Sequence, residues 1–118
     1  MAVTQPQESL KSPDMEPAEK AYLLDAVWFR PPHGADHYRQ YLEMASPIAR
    51  KYGARRVEAL FPVEVLRGNF DPDYICVIEW PSIDQYYEFL KDIHYRAVAP
   101  IRESAIARST QIYCRRLK

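Results

Sequence analysis

The sequence predicts an α+β protein in which helices cover one face of a single antiparallel sheet. Two segments, 21–29 and 74–80, are apolar almost throughout, as central strands covered on both faces are. Apolar residues at helical spacing follow each of them, over 35–52 and 82–91. With the remaining elements the order is β-α-β-β-α-α-β, which right-handed crossovers turn into a ferredoxin-like split βαβ sheet with strand order 4-1-3-2.

Prolines and glycines delimit the first strand and the first helix. Pro31 and Pro32 end the strand because neither can donate a backbone hydrogen bond. The helix is predicted over 35–52, with Gly34 as its N-cap. Gly53 fits the left-handed position that commonly stops a helix.

Turn and capping residues separate the later elements. Pro62 indicates that the second strand lies at a sheet edge or contains a bulge. Ser82 and Asp92 are suited to cap the second and third helices. The later elements are predicted over 55–67, 74–80, 82–91, 93–107 and 110–116.

The composition indicates one globular domain with a short extension. A chain of 118 residues suffices for one hydrophobic core, and 47% apolar with 27% charged residues is an ordinary globular balance. Residues 1–19 contain three prolines and few apolar residues, so they cannot fold alone and are predicted to form an N-terminal arm. The ferredoxin-like domain is assigned to residues 20–118.

Charge and hydropathy argue against nucleic acid and membrane partners. Lys+Arg and Asp+Glu both number 16, so no net charge attracts a polyanion. The sequence contains no apolar run of membrane-spanning length and no secretory signal pattern at residues 1–10. Cys76 and Cys114 lie within apolar runs, as buried reduced thiols do. We therefore expect a cytoplasmic protein.

One face of the predicted sheet lacks helices to cover it. Leu23, Val27, Ile75 and Val77 are assigned to that face, and such an apolar surface would not remain exposed to water. A second copy of the chain is the simplest cover. The sequence therefore predicts a homodimer with facing sheets.

Two acidic residues interrupt the apolar central strands. Alternation places Glu79 on one face with Ile75 and Val77, and we expect Asp25 to share that face. Burial would raise the pKa of Glu79 and suit it to acid–base catalysis. The alternative is a satisfied polar contact across the dimer, for example with an arginine of the partner.

A second candidate cluster lies in the third predicted helix. Tyr95 and Arg102 are seven residues apart and therefore share a helical face. Arg102 would hold a carboxylate or enolate while His94 moves a proton. The alternative is that Arg102 only ties down the corner between the last two helices, with His94 exposed.

Aromatic residues are predicted to line the space between the sheet and the helices. Strand or helical spacing, which is typical of core residues, is shown by Trp28, Trp80, Tyr38 and Tyr41. Buried tyrosine hydroxyls need partners, so a pocket lined by these residues and Tyr95 would bind a small organic molecule.

The sequence predicts neither a metal site nor a cofactor. His33 and His37 are four residues apart, but no third ligand accompanies them. The chain has no glycine-rich phosphate loop and no Gly-x-Ser-x-Gly motif.

In their order, these motifs resemble the domain-of-unknown-function 1330 family of the dimeric α+β barrel superfamily. The resemblance covers roughly residues 22–116, and Trp80 stands where the family has Phe. Ala54 replaces a Gly, Tyr86 takes a position that is usually small, and residues 92–94 replace Ser-Pro-Glu. The matching positions are Tyr38, Tyr41, Pro47, Tyr52, Gly53, Gly68, Glu79, Pro81, Ser82, Phe89, Tyr95 and Arg102.

The resemblance implies a ferredoxin-like fold and a homodimer, but no specific activity. Members of the superfamily include cofactor-independent monooxygenases, isomerases and cyclases. The first functional hypothesis is therefore a cofactor-independent enzyme that acts on a small aromatic or keto acid. In it, Arg102 anchors the anionic group, His94 or Glu79 moves a proton, and the aromatic residues hold the apolar part.

The second hypothesis is a non-catalytic dimeric module that binds a metabolite or another protein. It is motivated by the lack of any motif strong enough to name a catalyst. RNA binding by the sheet is disfavoured by the zero net charge.

Overall fold

A computed structural model describes residues 19–117, in which four strands and three helices follow the predicted order. Apart from Glu19, the predicted N-terminal arm lies outside the described residues. The elements are β1 (Ala21–Phe29), α1 (Gly34–Lys51), β2 (Arg55–Leu60), β3 (Tyr74–Trp80), α2 (Ile83–Lys91), α3 (Ile93–Ala105) and β4 (Ile106–Cys114).

The strands of the described region form one antiparallel sheet in the order β2-β3-β1-β4. This order confirms the predicted ferredoxin-like arrangement. β1 and β3 are the central strands, which accounts for their nearly continuous apolar sequence. Ala21 and Val27 of β1 are fully buried.

The register between β1 and β3 decides which side chains share a face. Asp25 lies directly opposite Cys76, and Tyr22 lies opposite Glu79. Directly opposite residues share a face and successive residues alternate, so Asp25 and Glu79 lie on opposite faces of the sheet. The expectation that they share a face is wrong. Alternation within one strand does not determine which of its residues lie opposite those of the neighbouring strand.

The three helices pack on the face that carries Asp25. Leu23, Val27 and Trp80 of this face belong to the main hydrophobic cluster. Burying each large apolar side chain stabilises the fold by about 1.5–3 kcal/mol relative to leaving it in water. The helices contribute Tyr38, Tyr41, Ala45, Phe89, Tyr95 and Val98 to the same cluster.

The opposite face of the sheet, called here the open face, has no helix of the described residues over it. It carries Leu24, Ile75 and Val77, which are only half-buried. Leu23 and Val27, which were also assigned to this face, lie under the helices instead. The open face therefore carries two of the four predicted residues, together with Leu24, and is apolar at its centre.

α1 begins at Gly34, one residue earlier than predicted. Gly34 therefore does not cap the helix, and the absence of its side chain instead allows close packing. His33 occupies the N-cap position without a capping side-chain hydrogen bond. A Cβ atom on Gly34 would lie 2.5 Å from the carbonyl oxygen of Ala105, at the end of α3. At the other end Gly53 follows the C-cap residue Tyr52 with a φ of 89°, which confirms the predicted stop.

Both predicted side-chain caps are confirmed. Ser82 Oγ accepts a hydrogen bond of 3.3 Å from a backbone N–H in the first turn of α2. Asp92 Oδ1 accepts hydrogen bonds of 2.7 and 3.1 Å from the backbone N–H groups of His94 and Tyr95. The Tyr52 hydroxyl donates to Asp92 Oδ2 at 2.6 Å, so Asp92 also joins the end of α1 to the start of α3.

Two strand boundaries differ from the prediction because the neighbouring strand decides how far each strand can pair. β2 ends at Leu60, before Pro62, since Leu60 already lies opposite Ile75 at the beginning of β3. β2 is an edge strand, as Pro62 indicated. β4 begins at Ile106 rather than at residue 110, because Ile106 pairs with Phe29 at the end of β1.

Candidate functional site

A cavity of about 410 Å³ lies between the sheet and the three helices. This volume is within the range of small-molecule sites in proteins. The sheet contributes Leu23, Asp25, Cys76, Ile78, Trp80 and Gln111, and the helices contribute mainly tyrosine and apolar side chains. We call this space the main cavity.

An ion pair between Asp25 of β1 and Arg102 of α3 is the polar centre of the main cavity. Arg102 Nη2 donates to both carboxylate oxygens of Asp25 at 3.2 Å. The two side chains are only 13% and 12% exposed. Arg102 projects inward because it lies two helical turns after Tyr95, on the face of α3 that meets the sheet.

Burial and charge act on the two partners in different ways. Burial raises the pKa of Asp25, and the opposing effects of Arg102 and Tyr38 do not cancel it. Burial alone would lower the pKa of Arg102, but the Asp25 carboxylate holds that pKa above its ordinary value. Arg102 therefore remains a cation, while Asp25 is a stronger base than an exposed aspartate.

Three tyrosine hydroxyls lie in the same space. The Tyr38 hydroxyl is 3.5 Å from Asp25 Oδ2, to which it donates. The hydroxyls of Tyr41 and Tyr95 are 2.9 Å apart and hydrogen-bonded to each other. Burial raises the pKa of Tyr38 and of Tyr41, so both stay protonated and can donate hydrogen bonds.

Aromatic rings form the wall beside α2. The Trp80 ring lies 5.2 Å from that of Tyr86 and 5.1 Å from that of Phe89, measured between centroids. Phe89 in turn contacts Tyr95 at 4.1 Å. Tyr86, a departure from the family pattern, thus lies on the cavity wall, where its hydroxyl donates to Gln111 Oε1 at 3.3 Å.

Five of the predicted site residues line the main cavity: Tyr38, Tyr41, Trp80, Tyr95 and Arg102. The predicted common face of Tyr95 and Arg102 is confirmed. These residues were recognisable because helical and strand periodicity turns them toward the core.

Trp28 does not line the main cavity, contrary to the prediction. It follows the fully buried Val27 and therefore points to the other face of the sheet. There its Nε1 donates to Asp71 Oδ1 at 3.0 Å, and the guanidinium of Arg108 lies 4.0 Å from the ring centroid. Trp28 therefore helps to organise the edge of the open face.

Glu79 lies on the open face, outside the main cavity, and its pKa is lowered rather than raised. Burial opposes its charge, but the Tyr22 hydroxyl at 2.9 Å, Arg55 at 3.1 Å and Lys20 at 3.5 Å together lower its pKa. The predicted high pKa is therefore wrong. The polar contacts of Glu79 are made within the chain, with Arg55 as the arginine, whereas the alternative placed them across the dimer.

His94 is exposed in the first turn of α3 and does not line the main cavity. Its backbone N–H donates to the Asp92 cap, and this position turns the side chain outward. The prediction that placed His94 beside the reacting group is not supported by this geometry.

Several polar residues of the main cavity were not among the predicted site residues, among them Asp25, Cys76 and Glu103. Asp25 stood out in the sequence as an acid within an apolar central strand, which is costly unless the acid is paired, but the predicted site role went to Glu79. Cys76 lies directly opposite Asp25, and burial raises the pKa of its thiol to about 11. The thiol is therefore neutral at physiological pH and not a ready nucleophile.

In the described part of the chain, no three His, Cys, Asp or Glu side chains come together as metal ligands. The rings of His33 and His37 are 6.3 Å apart. Among the helices of residues 19–117, none has both the length and the apolar character needed to traverse a bilayer.

The sequence matches one family model over most of its length. The model of the family described as "Domain of unknown function (DUF1330)" matches residues 20–113. The chain belongs to the DUF1330 family. This finding confirms the resemblance drawn from the sequence motifs. No curated protein is significantly similar to the chain in sequence.

Solved structures share the fold of this DUF1330 chain. A Rhodopseudomonas palustris protein of unknown function, RPA0582, has a TM-score of 0.81 and 23% identity over 100% of this chain and 95% of that one. A dimeric ferredoxin-like protein of unknown function from Bacteroides fragilis has a TM-score of 0.61 and 10% identity, over 82% and 96% of the two chains.

A variant of SnoaB, a cofactor-independent oxygenase from Streptomyces nogalater, has a TM-score of 0.60 and 15% identity. The similarity covers 84% of this chain and 94% of that chain. At these identities the likeness establishes the ferredoxin-like fold alone.

Proposed function

We propose that the main cavity binds a small aromatic or keto acid and catalyses a proton transfer on it without a cofactor. The observation that carries this proposal is the buried Asp25–Arg102 pair, with both side chains facing a cavity of about 410 Å³. Perturbed titratable groups in a cavity of ligand size are typical of catalytic sites. The fold of SnoaB, a cofactor-independent oxygenase, is compatible with such chemistry.

Asp25 is the proposed base. Its carboxylate would take a proton from the carbon next to a substrate carbonyl, and the electron pair would move to the carbonyl oxygen. Its raised pKa makes it better suited to this step than an ordinary aspartate. Returning the proton to another position of the substrate would complete an isomerisation with no oxidant or reductant.

Arg102 and the tyrosines would stabilise the enolate. When Asp25 becomes neutral, the charge of Arg102 is no longer offset and can act on the developing oxyanion. The hydroxyls of Tyr38, Tyr41 and Tyr95 would be further donors once the substrate oxygen replaces their present acceptors. Glu79 and His94 have no step in this scheme because neither lines the main cavity.

A thermal-shift screen of aromatic and keto acids tests binding first. A ligand that binds only the folded protein raises the melting temperature in proportion to the logarithm of its concentration over Kd. Any compound found is then assayed for exchange of its α-protons with D₂O. We expect Asp25→Asn to lower the exchange rate by at least about 100-fold.

The comparison with Glu79→Gln distinguishes the proposal from the sequence-based assignment. Loss of exchange in Glu79→Gln but not in Asp25→Asn would contradict the role of Asp25. A compound that binds but never exchanges or changes would favour the second hypothesis, a non-catalytic metabolite-binding module. The direct pairing of Asp25 with Arg102 is compatible with that hypothesis as a structural ion pair.

We further propose that two copies associate through their open faces. Ile112 of β4 is 48% exposed and lies opposite the half-buried Leu24 of β1. Leu24 in turn lies opposite Val77 of β3, so the three apolar side chains form a row across the open face. Leaving such an apolar sheet surface in water is unfavourable. The dimeric state given for the Bacteroides fragilis protein supports the proposal.

Light scattering tests this association. We expect a particle of twice 13.8 kDa, and a shift to 13.8 kDa in Ile112→Arg, because an unpaired charge would be buried between the sheets. Ala97→Arg adds the same charge on an exposed position of α3 and should leave the dimer intact. A wild-type protein that scatters as one 13.8 kDa chain at micromolar concentration would refute the dimer.

A further inference from the structure

A second cavity of about 370 Å³ lies beside the main one, between the C-terminal half of α1 and the edge of the sheet formed by β2 and β3. We call it the side cavity. The two cavities share Leu42, Ser46, Ala49, Cys76 and Ile78 as lining residues. They therefore adjoin, and a ligand in one lies directly next to the other.

The side cavity is positively charged. Arg50, Arg55 and Arg56 line it, and no carboxylate does. Arg55 is neutralised by Glu79, to which its Nη2 comes within 3.1 Å. In residues 19–117, no carboxylate lies within ion-pairing distance of Arg50 or Arg56, although the chain as a whole has equal numbers of acids and bases.

Hydroxyl groups accompany these two arginines. Arg56 Nη1 donates to the Tyr74 hydroxyl at 3.4 Å, and Ser46 lies on the shared wall. The Tyr74 hydroxyl also makes a hydrogen bond with the Cys76 thiol, which lies on the same shared wall. The two guanidinium groups and the Ser46 hydroxyl form a donor set that suits a carboxylate or a phosphate.

Arg102 is less suited to hold an anion. Both oxygens of Asp25 already accept from it at 3.2 Å, so its charge is offset. An anionic substrate group placed there would also approach the Asp25 carboxylate, which repels it. The anion-anchoring role predicted for Arg102 is therefore better matched by Arg50 and Arg56.

The separation of the two centres limits the ligand. Asp25 is opposite Cys76, and Arg56 is opposite Ile78, two residues further along β3. Two strand spacings and a two-residue offset place the Cα atoms of Asp25 and Arg56 about 12 Å apart. A ligand with its carbonyl at Asp25 in the main cavity and its anionic group in the side cavity carries the two groups several bonds apart.

We propose that the side cavity binds the anionic group, a carboxylate or a phosphate, of a ligand whose apolar carbonyl-bearing part occupies the main cavity. This inference rests on the proposed function for the site of the carbonyl. Within the acids of the proposed function, it favours ketones with a remote anionic group over α-keto acids, in which the two groups are adjacent.

Binding of matched probes tests the inference. 3-Benzoylpropionate has an aryl ketone and a remote carboxylate, butyrophenone is a neutral counterpart, and phenylpyruvate has adjacent groups. We expect 3-benzoylpropionate to bind more tightly than either. Arg50→Gln with Arg56→Gln should weaken its binding by about tenfold or more, and change butyrophenone binding by less than about twofold.

Arg67→Gln is the matched control, since Arg67 is exposed and lies outside both cavities. Equal weakening in the control, or none in the double variant, would overturn the anion site. If butyrophenone still binds in that case, the proposed function of the main cavity stands although the anion site does not. Circular dichroism and thermal melts of each variant verify that the fold is retained.

Inorganic phosphate and acetate test the anion site independently of the main cavity. Saturable binding of either ion that the double variant abolishes supports the site, and the stronger of the two identifies the preferred group. Failure of phosphate, acetate and 3-benzoylpropionate to bind to the wild-type protein overturns it. Butyrophenone binding and the Asp25→Asn exchange assay report on the main cavity alone, so the two proposals fail separately.

Discussion

Asp25 and Glu79 are both buried acids on the central strands, yet they occupy opposite environments. Counted over the whole residue, Asp25 and Glu79 are 8% and 6% exposed. Asp25 has one cation and a long hydrogen bond from Tyr38, and its pKa is raised by burial. Glu79 has two cations and a short hydrogen bond, and despite burial its pKa is lowered. The number and proximity of partners, rather than burial alone, thus decide whether an acid is stabilised in its charged form.

The largest expected difference between the two acids follows removal of their arginines. Arg102→Gln should lower the free energy of unfolding at pH 7 by about 3–5 kcal/mol, because it leaves the buried carboxylate of Asp25 without a cation. Arg55→Gln should cost less than about 1 kcal/mol, since the Arg55 side chain is 65% exposed and Glu79 keeps other partners. Urea unfolding measures both.

The double variant Asp25→Asn with Arg102→Gln is the control for this comparison. It removes both charges and should recover much of the loss seen in Arg102→Gln. Equal losses in Arg102→Gln and Arg55→Gln would show that the two acids do not differ as described.

The next effect is an opposite pH dependence of stability. The pKa of Glu79 is lowered from 4.5, so its contribution is present above that pH and disappears as the pH falls through the lower folded value. The pKa of Asp25 is raised from 3.8, so its contribution is present below that pH and disappears as the pH rises through the higher folded value.

Urea unfolding across a pH series separates the two contributions. Glu79→Gln should flatten the loss of stability on the acid side, whereas Asp25→Asn should remove a decrease that occurs as the pH rises above 3.8. Each unit of difference in pKa corresponds to about 1.4 kcal/mol. Identical slopes in the two variants would contradict the opposite directions of the shifts.

The smallest effect concerns the hydroxyl partners. The Tyr22 hydroxyl is 2.9 Å from Glu79, whereas the Tyr38 hydroxyl is 3.5 Å from Asp25. Tyr22→Phe should therefore raise the pKa of Glu79 more than Tyr38→Phe raises the pKa of Asp25. NMR titration of the carboxyl carbons measures both values, and a larger change at Asp25 would refute the ranking.

Much of the candidate site could be predicted because it depends on local periodicity. Tyr38 and Tyr41 lie three apart in α1, and Tyr95 and Arg102 lie seven apart in α3, so each pair had to share a helical face. Trp80 at the end of an apolar strand was identifiable on the same grounds. The caps at Ser82 and Asp92 depend only on the residues that immediately follow them.

The partner of Arg102 could not be predicted in this way. Asp25 is 77 positions away in the sequence, and the pairing requires α3 to pass over β1. Glu79 was preferred as the catalytic acid because its strand and the following turn matched a known pattern. Its position on the open face depends on the register between β1 and β3, which cannot be read from the sequence of either strand alone.

By itself, the amino-acid sequence determined the types of the elements, their order and the order of the strands, because periodicity, turn chemistry and crossover handedness act over short distances. The tertiary structure alone decided which acid faces the helices, which arginine each acid binds, and where the uncompensated arginines collect. These outcomes depend on inter-strand register and helix docking, which bring together charges from distant parts of the chain.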